Sequence, residues 1–406
     1  MTMLADQGKA ASARPCPELA RLLHPVDLAS FRREYWERKS LLVQRDDPGY
    51  YADLLTLDDV DRLLSLSGVQ LDNLRVVVDG KETNVSELHS VAGVNSLEAL
   101  YEHYRNGSTI TMNSLDGRFE PLQRLSRALA AEASARFQMN VYVTPAGNRG
   151  FKAHYDTHDV FVLQAHGTKR WRLASQPYQL PLAGRPYDKS QPEPEPEQEF
   201  DLRAGDMLYL PRGTVHSAAA NDSVSVHITI GVHPVLWSDL IIGAAKKLFA
   251  DDARFRTGLP IGFADDATAR QAVEAMAGEL MDALRADISP RALTDAAVER
   301  GTSISFPALR HHLTDLEEFD RITLGTRVRR RTQQRWIFTI DGDTVRLTFH
   351  NKNAEFPAAV ADEVRYAAES HEAGFTGRDI PGDLDESGRL FLIKTLVREG
   401  FLTLSE

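Results

Sequence analysis

From Pro17 to about Leu66 apolar positions recur every three to four residues, the spacing that gives a helix one buried face. Phe31–Arg45 (FRREYWERKSLLVQR) reads as a helix running into a short apolar strand. Thr56 is placed to cap the helix that follows, with Asp58 and Asp59 in its first turn and Gly68 at its stop. Leu74–Gly80 (LRVVVDG) predicts a strand entering an Asp-Gly turn, and Ser96–Gly107 and Glu120–Phe137 predict two amphipathic helices.

From Asn140 to about Val235 the repeat shortens to two, in brief β-branched and aromatic runs cut by Gly, Pro and Asp. Many short strands with turn signals predict an all-β barrel or sandwich. Gln191–Phe200 alternates Pro with Glu and reads as an extended, solvated loop between two of these strands, with no ligand assigned to it. Helical spacing returns at Trp237 and runs to about Arg300 with no sheet to cover it, which predicts a dimerisation bundle. Its Met276 and Met281 read as core or interface packing. The last hundred residues hold a hairpin about Asp341-Gly342, a helix start near Pro357, and a helix stopped by Gly400. The expected class is α+β. A disordered leader (1–17) precedes a barrel domain with N-terminal helices (18–236), a helical dimerisation domain (237–302) and a winged-helix-like domain (303–406).

At 406 residues, 42% of them hydrophobic, the chain has material for several cores. A net charge of -11 argues against wholesale coating by nucleic acid. No apolar run approaches the ~18 residues of a membrane span, and the first twenty residues have no signal-peptide core. The single Cys16 cannot close an internal disulfide, so the expected compartment is the cytoplasm.

The chemistry concentrates at His154-Tyr155-Asp156. On a strand, residues two apart share a face, so His154 and Asp156 point together. His216 follows a strand and a Pro-Arg-Gly turn, where a barrel brings a distant ligand back to its mouth. Two imidazoles and one carboxylate on one side of a metal leave open positions, the ligand set of a non-haem Fe(II) oxygenase. With 13 histidines in the chain, His158, His166, His227 and His233 are competitors. His158 also reads as a substrate contact, four residues beyond His154. Lys169, beyond the tight turn Ala165–Thr168, is placed across from the motif strand. Inside a barrel it needs an anionic partner, since an unpaired buried ammonium is costly; the competing reading puts Lys169 outside and Trp171 inside. Asn140 reads as the opening residue of the strand before the motif, within reach of a metal-bound carboxylate. The basic run Thr326–Arg335 leads into a hairpin strand and reads as a solvated face.

Residues 140–173 (NVYVTPAGNRGFKAHYDTHDVFVLQAHGTKRWRL) and 205–218 (GDMLYLPRGTVHSA) resemble the JmjC-domain ribosomal oxygenases. The resemblance extends over roughly Leu19 to Leu404. It implies a double-stranded β-helix (cupin) barrel and a homodimer. It implies Fe(II), 2-oxoglutarate and O2 as metal and co-substrates, and an arginine or histidine side chain of a ribosomal protein or other peptide as substrate. By the resemblance His154, Asp156 and His216 hold iron, Lys169 and Asn140 contact 2-oxoglutarate, and Tyr142 faces the substrate. Where human-type members carry a substrate-contacting serine, this chain has Gly231. Two alternatives remain at this point: an N-methyl demethylase using the same chemistry, and a ligand-sensing barrel joined to a DNA-binding tail.

Overall fold

The computed structural model describes residues 3–4, 16–67, 74–78, 81–84, 97–148, 150–190, 192–304, 309–332, 334–350, 352–369 and 373–404. The chain divides into two compact units, Ala13–His233 and Pro234–Glu406 with Met1–Ser12. Most of the leader expected to be disordered lies outside the described residues; its Met3–Leu4 forms a two-residue strand (β1), and Pro17 opens the helix Pro17–Leu23. No helix among the described residues is long and apolar enough to cross a membrane.

In the first unit, Thr56 caps the helix Leu57–Ser67 as expected. Its hydroxyl accepts from the Asp59 amide (3.1 Å) while the Asp59 carboxylate accepts from the Thr56 amide (3.0 Å). Gly68 and the Asp79-Gly80 turn lie outside the described residues. Phe31–Arg45 departs from expectation: a π-turn over Phe31–Tyr35, rather than a full helix, precedes the strand Leu41–Val43.

An eight-stranded antiparallel sheet forms the larger wall of the barrel. Numbered along the chain, its order is β2 (Leu41–Val43), β10 (Met207–Leu210), β7 (Asp159–His166), β12 (Ser225–His233), β6 (Arg136–Thr144), β5 (Thr109–Met112), β3 (Leu74–Val78) and β4 (Lys81–Asn84). The smaller wall is β11 (Val215–Ala220), β8 (Thr168–Ala174) and β9 (Gln198–Arg203). From β7 to β12 the chain passes back and forth between the walls. Strand alternation explains how both faces of the larger wall are used. On β12, Val226, Ile228, Ile230 and Val232 pack with Met139, Val141 and Val143 of β6 into a core shared with the helices. The odd-numbered His227 and Thr229 point the other way, into the space between the walls. On β7, Phe161 and Leu163 join the helix-side core, whereas Val160 and Val162 meet Trp171 and Leu173 of the smaller wall. Each such fully buried aliphatic side chain contributes roughly 1.5–3 kcal/mol.

The turn from β7 to β8 depends on Gly167. Its φ is +68°, and a Cβ there would lie 2.0 Å from the Val224 carbonyl oxygen, so no side chain fits. The Pro-Glu segment is a loop, as read from sequence, with β9 starting at Gln198.

In the second unit the helices Trp237–Asp251, Ala267–Asp287 and Pro290–Ser303 bury few apolar side chains, Leu240 and Ala269 among them. Met276 and Met281 are exposed, so the core half of their expected role is not met. The hairpin about Asp341-Gly342 forms as read: Ile337–Asp341 pairs with Thr344–Phe349, which pairs with Lys352–Pro357, and β1 lies on the outer edge. Helices Ala361–Glu369 and Glu386–Arg398 pack on this sheet around Val364, Leu392, Leu396 and Phe401.

The basic run is a solvated face only in part: Arg327 is exposed, whereas Arg331 is not. Arg331 is buried and pairs with buried Asp315 at 2.5 Å, Arg330 donates to the Ala368 carbonyl (2.6 Å), and Arg327 donates to the Ala373 carbonyl. The guanidiniums of Arg330 and Arg331 are used within the fold, each as a donor for a carbonyl or carboxylate that folding takes wholly or partly out of water, whereas the Arg327 bond lies at the surface.

Candidate metal centre

The motif His154-Tyr155-Asp156 is not a strand. β7 begins only at Asp159, and His154 makes one isolated bridge to His216 of β11. That bridge does what the strand was expected to do. The His154 amide donates to the His216 carbonyl (3.1 Å) and the His216 amide to the His154 carbonyl (2.8 Å), which sets the two residues side by side. The extended backbone still alternates. Tyr155 turns to the opposite side, with its hydroxyl on the Arg185 carbonyl, while Asp156 returns to the face of His154.

His154, Asp156 and His216 each offer a ligand atom, and these lie within 4.8 Å of one another. The Nδ1 atoms of both histidines face backbone carbonyls, Lys152 O at 2.8 Å and Thr214 O at 3.0 Å. A carbonyl only accepts, so each Nδ1 carries the proton and each Nε2 lone pair is left for a metal. Burial and the neighbouring His216 bring the His154 imidazole down to about 4, so it is neutral at physiological pH. Burial works against charge on Asp156, but His216, His154, His158 and Lys189 together hold its carboxyl below the ordinary value. Neutral imidazoles and an ionised carboxylate are the donor states that Fe(II) binds, and the residues present fit such an ion.

The turn leading to His216 is held by a buried polar knot. Asp159 is fully buried and accepts from the Arg212 amide (2.9 Å), the Tyr209 hydroxyl (3.0 Å) and the Arg212 guanidinium (3.3 Å). Arg212 also pairs with Glu37 at 2.6 Å, and the Gly213 amide donates to the Asp156 carbonyl (3.0 Å). The loop carrying His154 and Asp156 and the turn before His216 are thereby tied at fixed spacing.

Beside the triad lies a cavity of about 370 Å³, lined from the larger wall by Glu82, Asn140, Tyr142, His227 and Thr229 and from the smaller wall by Lys169 and Trp171. Lys169 points inward as expected, and so does Trp171. The two are i and i+2 on one strand, so the choice between them does not arise. The Lys169 ammonium donates to Thr144 Oγ1 at 3.1 Å, and no carboxylate pairs with it among the described residues. Burial without a counter-charge brings it down to about 7. His227 stacks on Tyr142 (5.0 Å, 6° between planes), and burial together with Lys169 holds it well below its ordinary value. Burial and the Asp156 charge push the Tyr142 hydroxyl up, so it stays protonated. The buried Trp171 Nε1 and His227 Nδ1 have no hydrogen-bond partner. Unsatisfied buried donors beside an unpaired ammonium fit a polar, anionic ligand, as a dicarboxylate such as 2-oxoglutarate is.

Asn140 is the fifth residue of β6 rather than its opening residue, and its Oδ1 accepts from the Ser114 amide (2.9 Å). Tyr142 lines the cavity. His158 and Gly231 come together but are not among the residues that line it. The His158 ring stacks on His233 (4.7 Å), and a Cβ on Gly231 would lie 2.9 Å from that ring, so glycine is what admits the imidazole. His166 is exposed at the end of β7 and takes no part. Sequence reasoning missed Glu82, Thr144, Lys189 and the Asp159–Arg212 knot. Only Arg212, in the turn before His216, carried a signal that could have been read.

Residues 115–240 match the JmjC domain. Ribosomal oxygenase 2 of Rattus norvegicus is 34% identical over 257 residues, covering 59% of this chain and 53% of that one. A bifunctional lysine-specific demethylase and histidyl-hydroxylase of Drosophila grimshawi is 30% identical over 253 residues, covering 60% of this chain and 35% of that one. The chain thus spans about half the length of the rat relative and about a third of the fly one. Among solved structures, the Escherichia coli ribosomal oxygenase YcfD superposes with a TM-score of 0.53 at 18% identity, covering 93% of this chain and 98% of that one. It has also been solved in complex with cobalt and 2-oxoglutarate (TM-score 0.52, 17% identity). At that identity the superposition establishes a shared fold. Residues 115–240 are thus similar to a JmjC domain, and the chain's sequence relatives include the ribosomal oxygenases.

Proposed function

We propose that the chain is an Fe(II)- and 2-oxoglutarate-dependent oxygenase that hydroxylates an arginine or histidine side chain of a ribosomal protein or another peptide in the cytoplasm. The observation that carries this reading is the unpaired, buried Lys169 ammonium in the same cavity as the His154, Asp156 and His216 donor set. The JmjC match and the cobalt and 2-oxoglutarate in the Escherichia coli structure support it.

His154, Asp156 and His216 would hold the iron. With 2-oxoglutarate and O2 as co-substrates, iron would supply an oxidant that turns C–H into C–OH, one oxygen atom of O2 going to the product and the other to succinate as carbon dioxide leaves. The residues of the chain do the rest. Lys169 and Thr144 take the far carboxylate of the co-substrate, and Trp171 Nε1 offers a further donor. Asn140 adds an amide on the facing wall. The Tyr142 hydroxyl, kept protonated, offers a donor to the substrate, and its ring with that of His227 forms a flat apolar side to the cavity. Burial of Lys169 and Trp171 excludes water from the reacting face. His158 fills the place that a side chain at Gly231 would take and borders the substrate path.

The wider architecture belongs to the same proposal. Trp237 (73% exposed), Ile242 (52%) and Met281 (52%) leave an apolar surface on the first two of the three helices, which supports a homodimerisation region at 237–302. The small sheet with two packed helices supports a winged-helix-like domain at 303–406, used for protein contacts; Arg330 and Arg331, engaged within the fold, give a DNA-binding role no support.

Anaerobic addition of ferrous iron and 2-oxoglutarate to the whole chain should produce a weak visible charge-transfer band, and His154→Ala should remove it. Absence of the band in the unsubstituted protein overturns the reading. The fly relative's name favours N-methyl demethylation as a second reading. Mass spectrometry separates the two: hydroxylation adds one oxygen to the product, demethylation removes one methylene.

A further inference from the structure

Glu82 lies on β4, the end strand of the larger wall, and its side chain lines the cavity that contains the metal-ligand set. The cavity has two carboxylates, and the other, Asp156, faces the imidazoles. Glu82 is held in place: its Oε1 accepts from Thr111 Oγ1 (3.1 Å) and Asn113 Nδ2 (3.4 Å). Both of these donors are on Oε1, and among the described residues none reaches Oε2, which is then open to a partner from outside the chain. The charges of the cavity are segregated. Lys169 is on the smaller wall and Lys189 on the loop before β9, whereas Glu82 belongs to the larger wall among the neutral polar groups of Gln138 and Asn140. An anionic co-substrate at Lys169 and a cation at Glu82 would each meet the opposite charge.

We infer that Glu82 determines the specificity of this site by pairing with a permanently charged side chain of the substrate, arginine in preference to histidine. This rests on the oxygenase reading above. A free imidazole is mostly neutral at physiological pH and gains little from a carboxylate, whereas a guanidinium is always charged. The edge-to-face rings of Tyr142 and Phe151 (6.0 Å between centroids) line the same cavity and give a planar guanidinium a surface to stack on, which favours arginine over lysine.

The test uses the iron-loaded chain and peptide pools identical except at the central position, which is arginine, its neutral isostere citrulline, or histidine. Oxygen incorporation is read by mass spectrometry. The arginine pool should be modified in clear preference to the others. Glu82→Gln should lower kcat/KM on the arginine pool roughly tenfold, mainly through KM, the effect of a charged pair discounted for solvent exposure. Glu82→Asp should restore part of the loss. The anaerobic charge-transfer band should be the same in all three proteins. Equal modification of the citrulline or histidine pool, or an unchanged KM in Glu82→Gln, overturns the inference. A normal band with no pool modified overturns it while leaving the oxygenase reading standing. No band at all in the unsubstituted protein removes both.

Discussion

Lys169 shows how burial converts a residue into a binding device. Without a counter-charge its ammonium sits at about 7, against an ordinary value of 10.5. Below about pH 7 the free protein already carries the charge that an anion needs. Above it, binding must take up a proton, so the affinity for 2-oxoglutarate should fall as pH rises, by at most about tenfold per unit. For the unliganded fold the sign is opposite. The unfolded chain binds this proton up to 10.5 and the folded chain only to about 7, so this group's penalty on stability shrinks as pH rises through that window. Calorimetric titration with 2-oxoglutarate between about pH 6.5 and 9 checks the first statement, and a flat affinity contradicts it. Lys169→Ala should weaken the dicarboxylate far more than the metal; equal loss of both would give Lys169 another task. The candidate metal-binding set His154, Asp156 and His216 was legible in sequence from residue type and spacing, and Lys169 because a short turn fixed its distance from them. Glu82 and Thr144 were not. Each is an ordinary strand residue until non-local pairing, β3 with β4 or β6 with β5, brings it to the cavity.

At the level of elements, period-two alternation located the central parts of β6, β7, β8 and β12, but it does not by itself say which side of a strand meets water. In a half-buried sheet a polar position faces water. Here Asn140, Tyr142, His227 and Thr229 face an internal cavity, and the apolar positions between them face helices. The motif itself was expected on a strand, and the bridge between His154 and His216 supplies the same geometry from a loop. What holds that loop is the Asp159–Arg212 knot, which has no sequence period at all. Arg212→Ala would leave a fully buried carboxylate without its cation, a change that costs about 3–5 kcal/mol. Burial already pushes the Asp159 carboxyl up, so in the variant the folded state gains a proton more readily than the unfolded one. The loss should therefore be largest at neutral pH and shrink on acidification as Asp159 becomes neutral. Urea unfolding at two pH values measures it; a loss that grows on acidification, or none at all, would mean that the knot does not hold the turn.

The helices between Trp237 and Ser303 pose the question that belongs to the whole molecule. Among the described residues these three helices bury few apolar side chains besides Leu240 and Ala269, so they gain little of the apolar packing from which helical stability in proteins chiefly comes. Ile241 and Ile242 are exposed on the first helix, Met281 on the second and Val298 on the third. An exposed apolar surface drawn from all three is covered most economically by a second copy, because one patch then serves both sides of an isologous interface. The substitution pair Ile241→Glu and Ile242→Glu places like charges against their symmetry mates in such an interface. It should weaken self-association by at least about a hundredfold, the effect of losing apolar anchors and burying charge together. Sedimentation velocity at micromolar concentration should show the unsubstituted chain as a dimer and the variant as a monomer. Both positions lie outside Ala13–His233, so the charge-transfer band should survive in the variant, and its survival separates loss of assembly from loss of fold. An unsubstituted chain that sediments as a monomer would refute the dimer and leave the oxygenase site untouched.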